Sequence, residues 1–138
     1  MKRFLDTNVI VYAFDRHEAN KRRSSRALLR RLGKDGTGVI STQVMLECFN
    51  ALTRKLGIAE TDARQALLLL QNFEVVDMTA ELAREAIDCA LLDRISIWDA
   101  GVVVAAAHAR CPELLSEDLN AGQHIRGVKI VDPFTPED

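Results

Sequence analysis

An α/β fold, a parallel sheet with helices on both faces, is what the order of patterns along this chain predicts. Short β-type runs alternate with amphipathic helical stretches from end to end, and such alternation builds right-handed strand–helix–strand crossovers. With 138 residues, 48% of them apolar, the chain has enough material for one core and no room for a second. A single domain over residues 1–138 is therefore expected, with a short surface tail from about residue 133, where Pro133 and Pro136 fall.

The strands expected are Lys2 to Leu5, Gly38 to Ile40, Glu74 to Val76, Glu113 to Leu115 and Val128 to Val131. The first long helix runs from about Ala19 to Leu32, with Gly33 suited to the left-handed cap that stops it. Ser41 or Thr42 caps the next, which ends near Gly57. A third follows Glu60 and Thr61 and carries the LLLL run. A fourth, from Thr79, sets Leu82, Ala83, Ala86, Ile87, Ala90 and Leu91 on one stripe at helical spacing. The fifth, from Ser96 or Trp98 to Ala109, contains AGVVVAAAHA, is apolar nearly all round, and is expected to be buried against the sheet, a partner subunit or both.

Composition excludes several classes. No apolar stretch reaches the eighteen or more residues of a membrane helix, and the start MKRFLDTN reads as a strand, not a secretory signal, so a soluble, cytoplasmic protein is expected. Cys48, Cys89 and Cys111 are odd in number and far apart, which fits buried thiols in a reducing compartment better than disulfides or a zinc site. The formal net charge of −2 provides no general attraction to nucleic acid, so any such attraction must be local.

The chemistry is concentrated in four acids: Asp6 in FLDTN, Glu47 in TQVMLECFNAL, Asp99 in SIWDA and Asp118 in LLSEDLN. Asp6 and Asp118 directly follow strands, and ligands collect beyond the carboxyl ends of parallel strands. Glu47 lies on the helix after the second strand, and Asp99 in the first turn of its own. Singly, each acid has a plain explanation as a cap, a turn residue or a solvated side chain. A parallel fold could gather all four at one edge, where close carboxylates repel by about 4 kcal/mol per pair at protein-surface dielectric. A divalent cation relieves that repulsion and points to phosphodiester hydrolysis.

In order and spacing, FLDTN, the helix leading to Glu47, SIWDA, LLSEDLN and the closing GVKIVDPF resemble the PIN-domain ribonucleases, and especially the VapC-type toxins of bacterial toxin–antitoxin pairs. The resemblance extends from Arg3 to about Phe134. It implies a five-stranded parallel sheet, a Mg²⁺- or Mn²⁺-dependent endoribonuclease, a small cognate antitoxin, and a homodimer. Its acidic quartet falls on Asp6, Glu47, Asp99 and Asp118, with Ser116 at a position that is commonly Thr or Ser. On this reading Asp6 and Asp118 hold the metal directly, Asp99 holds it directly or through water, and Glu47 orients or deprotonates the attacking water. Thr7, Asn8 and Ser116 fix the carboxylate rotamers.

A polyanion also needs cations. Lys21, Arg22, Arg23, Arg26, Arg30, Arg31 and Lys34 crowd one helix and its exit, and Arg22, Arg26 and Arg30 share a face that suits an RNA backbone or an acidic partner. Trp98 is expected in the core. His108 is read as structural within its buried helix, and His17 and His124 as loop residues without ligand spacing. Three alternatives stand beside the toxin: a housekeeping PIN nuclease without an antitoxin, a receiver-type magnesium-binding signalling domain using Asp77 and Lys129, and a binding module whose acids only solvate an interface.

Overall fold

The computed structural model describes residues 1–135; Pro136, named above with the tail, lies outside them. Six strands form one sheet: β1 (Arg3–Leu5), β2 (Gly38–Ser41), β3 (Glu74–Val76), β4 (Glu113–Leu115), β5 (His124–Ile125) and β6 (Val128–Val131), in the order β3-β2-β1-β4-β6-β5. All neighbours are parallel except β5, which runs antiparallel to β6 at the edge. The five expected strands are therefore present, and a sixth completes a mixed sheet. His124 stands in that edge strand and not in a loop. Arg126 and Gly127 join β5 to β6 with φ of 51° and 80°, the pair of positive angles that a two-residue type I′ hairpin requires.

The six α-helices are α1 (Thr7–Val11), α2 (Ala19–Asp35), α3 (Thr42–Arg54), α4 (Glu60–Ala66), α5 (Ala80–Asp93) and α6 (Ile97–His108). Every residue of β2 is buried, as are Phe4 and Leu5 of β1. Both faces of the central strands are thus covered by helices, the usual condition of a parallel sheet. Ser41, Thr79 and Ser96 cap α3, α5 and α6, each accepting a backbone N–H from three residues on. Helix α6 lies against the sheet with Ala100 through Ala106 buried without interruption.

Several boundaries depart from expectation. Helix α2 runs through Gly33 and ends at Gly36, whose φ of 69° takes the left-handed cap. The LLLL run is a 3-10 turn, Leu67–Leu70, with only Leu70 buried. The expected α5 stripe divides: Leu82 and Ala86 pack inward with Cys89, while Ile87 and Leu91 are exposed along with Leu92. Trp98 is 67% exposed, because it sits in the first turn of α6 before the helix reaches cover at Ala100. His108, in the last turn, is exposed too. The three cysteines are free and buried, as expected. The tail is not merely an extension, since the Phe134 ring meets Tyr12 edge-on at 5.2 Å. Among the described residues no helix is long and apolar enough to cross a membrane.

Candidate active site

Strands β1 and β4 are hydrogen-bonded neighbours in register, Leu5 opposite Leu115, so the residues that follow them emerge side by side. The chain turns from β1 toward β2 on one side and β4 lies on the other, which makes this edge the point where the strand order reverses and where a crevice opens. Asp6, Glu47, Asp99 and Asp118 all line one pocket of about 410 Å³ there, with Thr7, Asn8 and Lys55.

Asp6 is the anchor of the pocket. One carboxylate oxygen accepts the Thr7 backbone N–H at 2.8 Å, capping α1. The other accepts the Ser116 hydroxyl at 2.8 Å. One side chain therefore both caps α1 and lines the pocket. It is 6% exposed, and burial, helped by the charges of Asp99 and Asp118, pushes its pKa up to about 6 against the opposing hydrogen bonds.

The other acids are held by named partners. The Asn8 side-chain amide donates to Asp118 at 3.0 Å and to Asp6 at 3.4 Å, while its Oδ1 accepts the Glu117 backbone N–H at 3.2 Å. Asn8 thus latches the turn after β1 to the turn after β4. Glu47 accepts Thr7 Oγ1 at 2.7 Å on one oxygen and Gln43 Nε2 at 2.9 Å on the other. Its helical neighbours in the pocket are Ala51 and Lys55, not the solvated Asn50 and Arg54 that share its polar side in the sequence. Asp99 lies in the first turn of α6, where its backbone N–H is capped by Ser96 Oγ at 3.0 Å. Burial, with the Asp118 and Glu47 charges beside it, raises its pKa despite a hydrogen bond from Ser96.

Two supports escaped the sequence reading. Gln43 also donates to the Trp98 carbonyl at 3.0 Å, so one amide ties Glu47 to the start of α6. It fits only because position 101 is glycine: a Cβ on Gly101 would overlap the Gln43 amide. The spacing Gln43–Glu47 is one helical turn, the only signal that could have found it. The second support is a clamp on Glu117, which receives Lys21 Nζ at 2.5 Å and the Tyr12 hydroxyl at 2.7 Å. Lys21 also sits over the Tyr12 and Phe134 rings at 4.8 and 5.6 Å. Although burial pushes the Glu117 carboxyl up, the Lys21 and Tyr12 bonds outweigh it and hold the pKa low. Lys21 is therefore spent on the turn that carries Asp118.

The donor set is all oxygen, with no cysteine or histidine lining the pocket, which suits a hard cation such as Mg²⁺ or Mn²⁺. Asp6, Asp99 and Asp118 are the pocket's carboxylates that could hold one. Among the described residues no group of three His, Cys, Asp or Glu side chains is arranged to hold a metal ion, and the Asn8 amide bridges Asp6 and Asp118. Asp77 and Lys129, the receiver-type pair, do not line the pocket. Of the expected RNA-binding arginines, Arg22 and Arg26 line a cleft beside the pocket, and Arg26 also lines a second cavity with Arg30.

A PIN domain family model matches residues 3–124. Among solved structures, the fold is similar to a toxin–antitoxin complex from Klebsiella pneumoniae, with TM-score 0.70 and 20% identity over 96% of this chain and 98% of that one. It is similar to VapBC2 from Rickettsia felis, bound to a DNA fragment of its promoter, with TM-score 0.69 and 20% identity over 94% and 97%. It is also similar to VapC20 of Mycobacterium tuberculosis, a sarcin–ricin loop cleaving toxin, with TM-score 0.65 and 19% identity over 85% and 90%. No curated protein matches the sequence. The family match spans most of the chain and the fold is shared along nearly all of it: the chain belongs to the PIN domain family.

Proposed function

We propose that this chain is a metal-dependent endoribonuclease, the toxin of a toxin–antitoxin pair. The observation that carries the reading is the gathering of four acids from four separate segments in one pocket at the β1–β4 edge. Asp6, Asp99 and Asp118 are assigned to the cation. Bound there, Mg²⁺ or Mn²⁺ supplies positive charge for the phosphate and an acidified water. Glu47, held between Thr7 and Gln43, is oriented to take a proton from the attacking water. Thr7, Asn8 and Ser116 hold the carboxylates in place, so little reorganisation is left for the reaction itself.

Toxin rather than housekeeping nuclease is favoured by the solved structures of similar fold, several of which are toxin–antitoxin complexes. A small antitoxin is then the natural partner and the cytoplasm the compartment. Self-association is favoured by an apolar groove of about 540 Å³ between α3, α5 and α6, with Leu46, Ile87, Ile97 and Trp98 on its rim or walls. The apolar surplus that suggested a dimer lies on this outer surface and not on α6 as a whole, which the sheet already covers.

The test is cleavage of a labelled RNA in magnesium, with chelator as control. Cleavage by the wild type, abolished in Asp6→Asn, Glu47→Gln, Asp99→Asn and Asp118→Asn variants that still fold, is the expected result. Stable labelling of an aspartate by a small phosphodonor, without RNA cleavage, would move the assignment to signalling.

A further inference from the structure

Two cavities meet at Lys55. One is the acid pocket; the other is a cleft of about 610 Å³ whose cationic lining is Arg16, Arg22, Arg26 and Lys55. Helix periodicity builds the junction. Glu47, Ala51 and Lys55 recur every four residues along α3 and share one face, with Lys55 about 12 Å of helix rise beyond Glu47. The positive side chain at the end of α3 is also favoured by the helix dipole.

The cations of this cleft are not already neutralised. The ion pairs among the described residues are Lys2–Glu74, Arg3–Glu113 and Lys21–Glu117, and none involves Arg16, Arg22, Arg26 or Lys55. Of the two carboxylates in the cleft, Asp15 accepts the His17 backbone N–H at 3.0 Å. Arg26 is oriented by the Ala13 carbonyl at 2.7 Å. The lining therefore changes at Lys55, from carboxylates on one side to an excess of cations on the other, where Arg16, Arg22, Arg26 and Lys55 outnumber Asp15 and Asp62.

We propose that this cleft holds the sugar–phosphate backbone of a single-stranded RNA on one side of the cut, with Lys55 taking the phosphate next to the acid pocket. The proposal rests on the nuclease reading and adds a strand path to it. A cation held by the carboxylates serves only the reacting phosphate; the neighbouring phosphates need side chains of their own, and point charges supply them without reading sequence. An acidic protein segment would find the same cations. A ligand that must occupy both cavities at once, however, is one with a phosphate at the carboxylates and more phosphates beyond. Arg30 lies outside this path.

Anisotropy of a fluorescein-labelled single-stranded RNA, titrated with the full chain over a range of salt and with calcium in place of magnesium, tests the path beside cleavage in magnesium. Lys55→Ala and Arg22→Ala are expected to weaken binding several-fold, each flattening the salt slope by about 0.7. Lys55→Arg should restore binding, and Arg84→Ala, on α5 outside both cavities, should match the wild type. In cleavage, Lys55→Ala raises KM and leaves kcat nearly unchanged. If the wild type cuts RNA while Lys55→Ala and Arg22→Ala keep its affinity and salt slope, the path is wrong and the cleft goes to a protein partner. A wild type that does not cut RNA overturns the nuclease reading itself.

Discussion

Asp6→Asn removes the most deeply buried of the four charges while preserving its shape. In the fold its pKa is about 6 against an ordinary 3.8, a difference worth about 3 kcal/mol. The sign follows from linkage: the native state binds this proton more tightly than the unfolded chain does. Its stabilising effect is complete below about pH 4, falls between about pH 4 and 6, and is gone above. At neutral pH the metal-free wild type thus carries an ionised group that its own fold disfavours. Asparagine keeps an acceptor for the Thr7 N–H but turns an amide toward Ser116, at a cost of about 1 kcal/mol. The net gain, about 2 kcal/mol, raises the metal-free melting temperature by about 6 °C. Melts followed by circular dichroism from acid to neutral pH, in chelator and in magnesium, measure it. The gain should vanish between about pH 4 and 5 and turn into a loss of about 1 kcal/mol below, and magnesium should stabilise the wild type by about 2.7 kcal/mol at a hundredfold excess over its Kd while leaving the variant unmoved. A variant less stable than wild type by the same amount at every pH would refute the reasoning.

Three further outcomes follow from the geometry. Gly101→Ala should displace Gln43 and free Glu47, cutting RNA cleavage at least tenfold in kcat while the melting temperature changes little; unchanged kcat would show that Gln43 does not position Glu47. Gly38→Ala places a Cβ 2.5 Å from the Phe73 ring in a buried strand, and overpacking of that kind should cost about 1 to 3 kcal/mol in a urea titration. Glu117→Gln should release Lys21 and loosen the turn bearing Asp118, lowering Mn²⁺ affinity several-fold with about 1 kcal/mol of stability lost; an unaltered affinity would make the clamp purely structural.

The sheet and its acids were legible because they rest on local signals: apolar triplets followed by an acid, serine and threonine caps, and helical spacing. Adjacency of β1 and β4, which brings Asp6 beside Ser116 and Asp118, is set by the pairing of distant strands and carries no local signal. What the sequence hid depends on context. Gly33 and Gly36 are equal candidates for a cap until one takes a positive φ. An arginine at φ 51° in the last hairpin carries no turn signal as strong as asparagine would. Trp98 and the outer stripe of α5 look like core because hydrophobicity cannot say which apolar face the sheet will reach. Gln43, Gly101 and the Lys21–Glu117 clamp are contacts between distant segments, and Lys55 gains meaning only once the face of α3 it shares with Glu47 is turned toward the pocket.

Titration of the metal-free protein with Mn²⁺, followed by calorimetry or electron paramagnetic resonance, bears most directly on the shared-cation site. Saturable binding to the wild type, lost or weakened at least tenfold in each of Asp6→Asn, Asp99→Asn and Asp118→Asn, is the predicted result. Equal binding by the wild type and all three variants, or none by any of them, would contradict it.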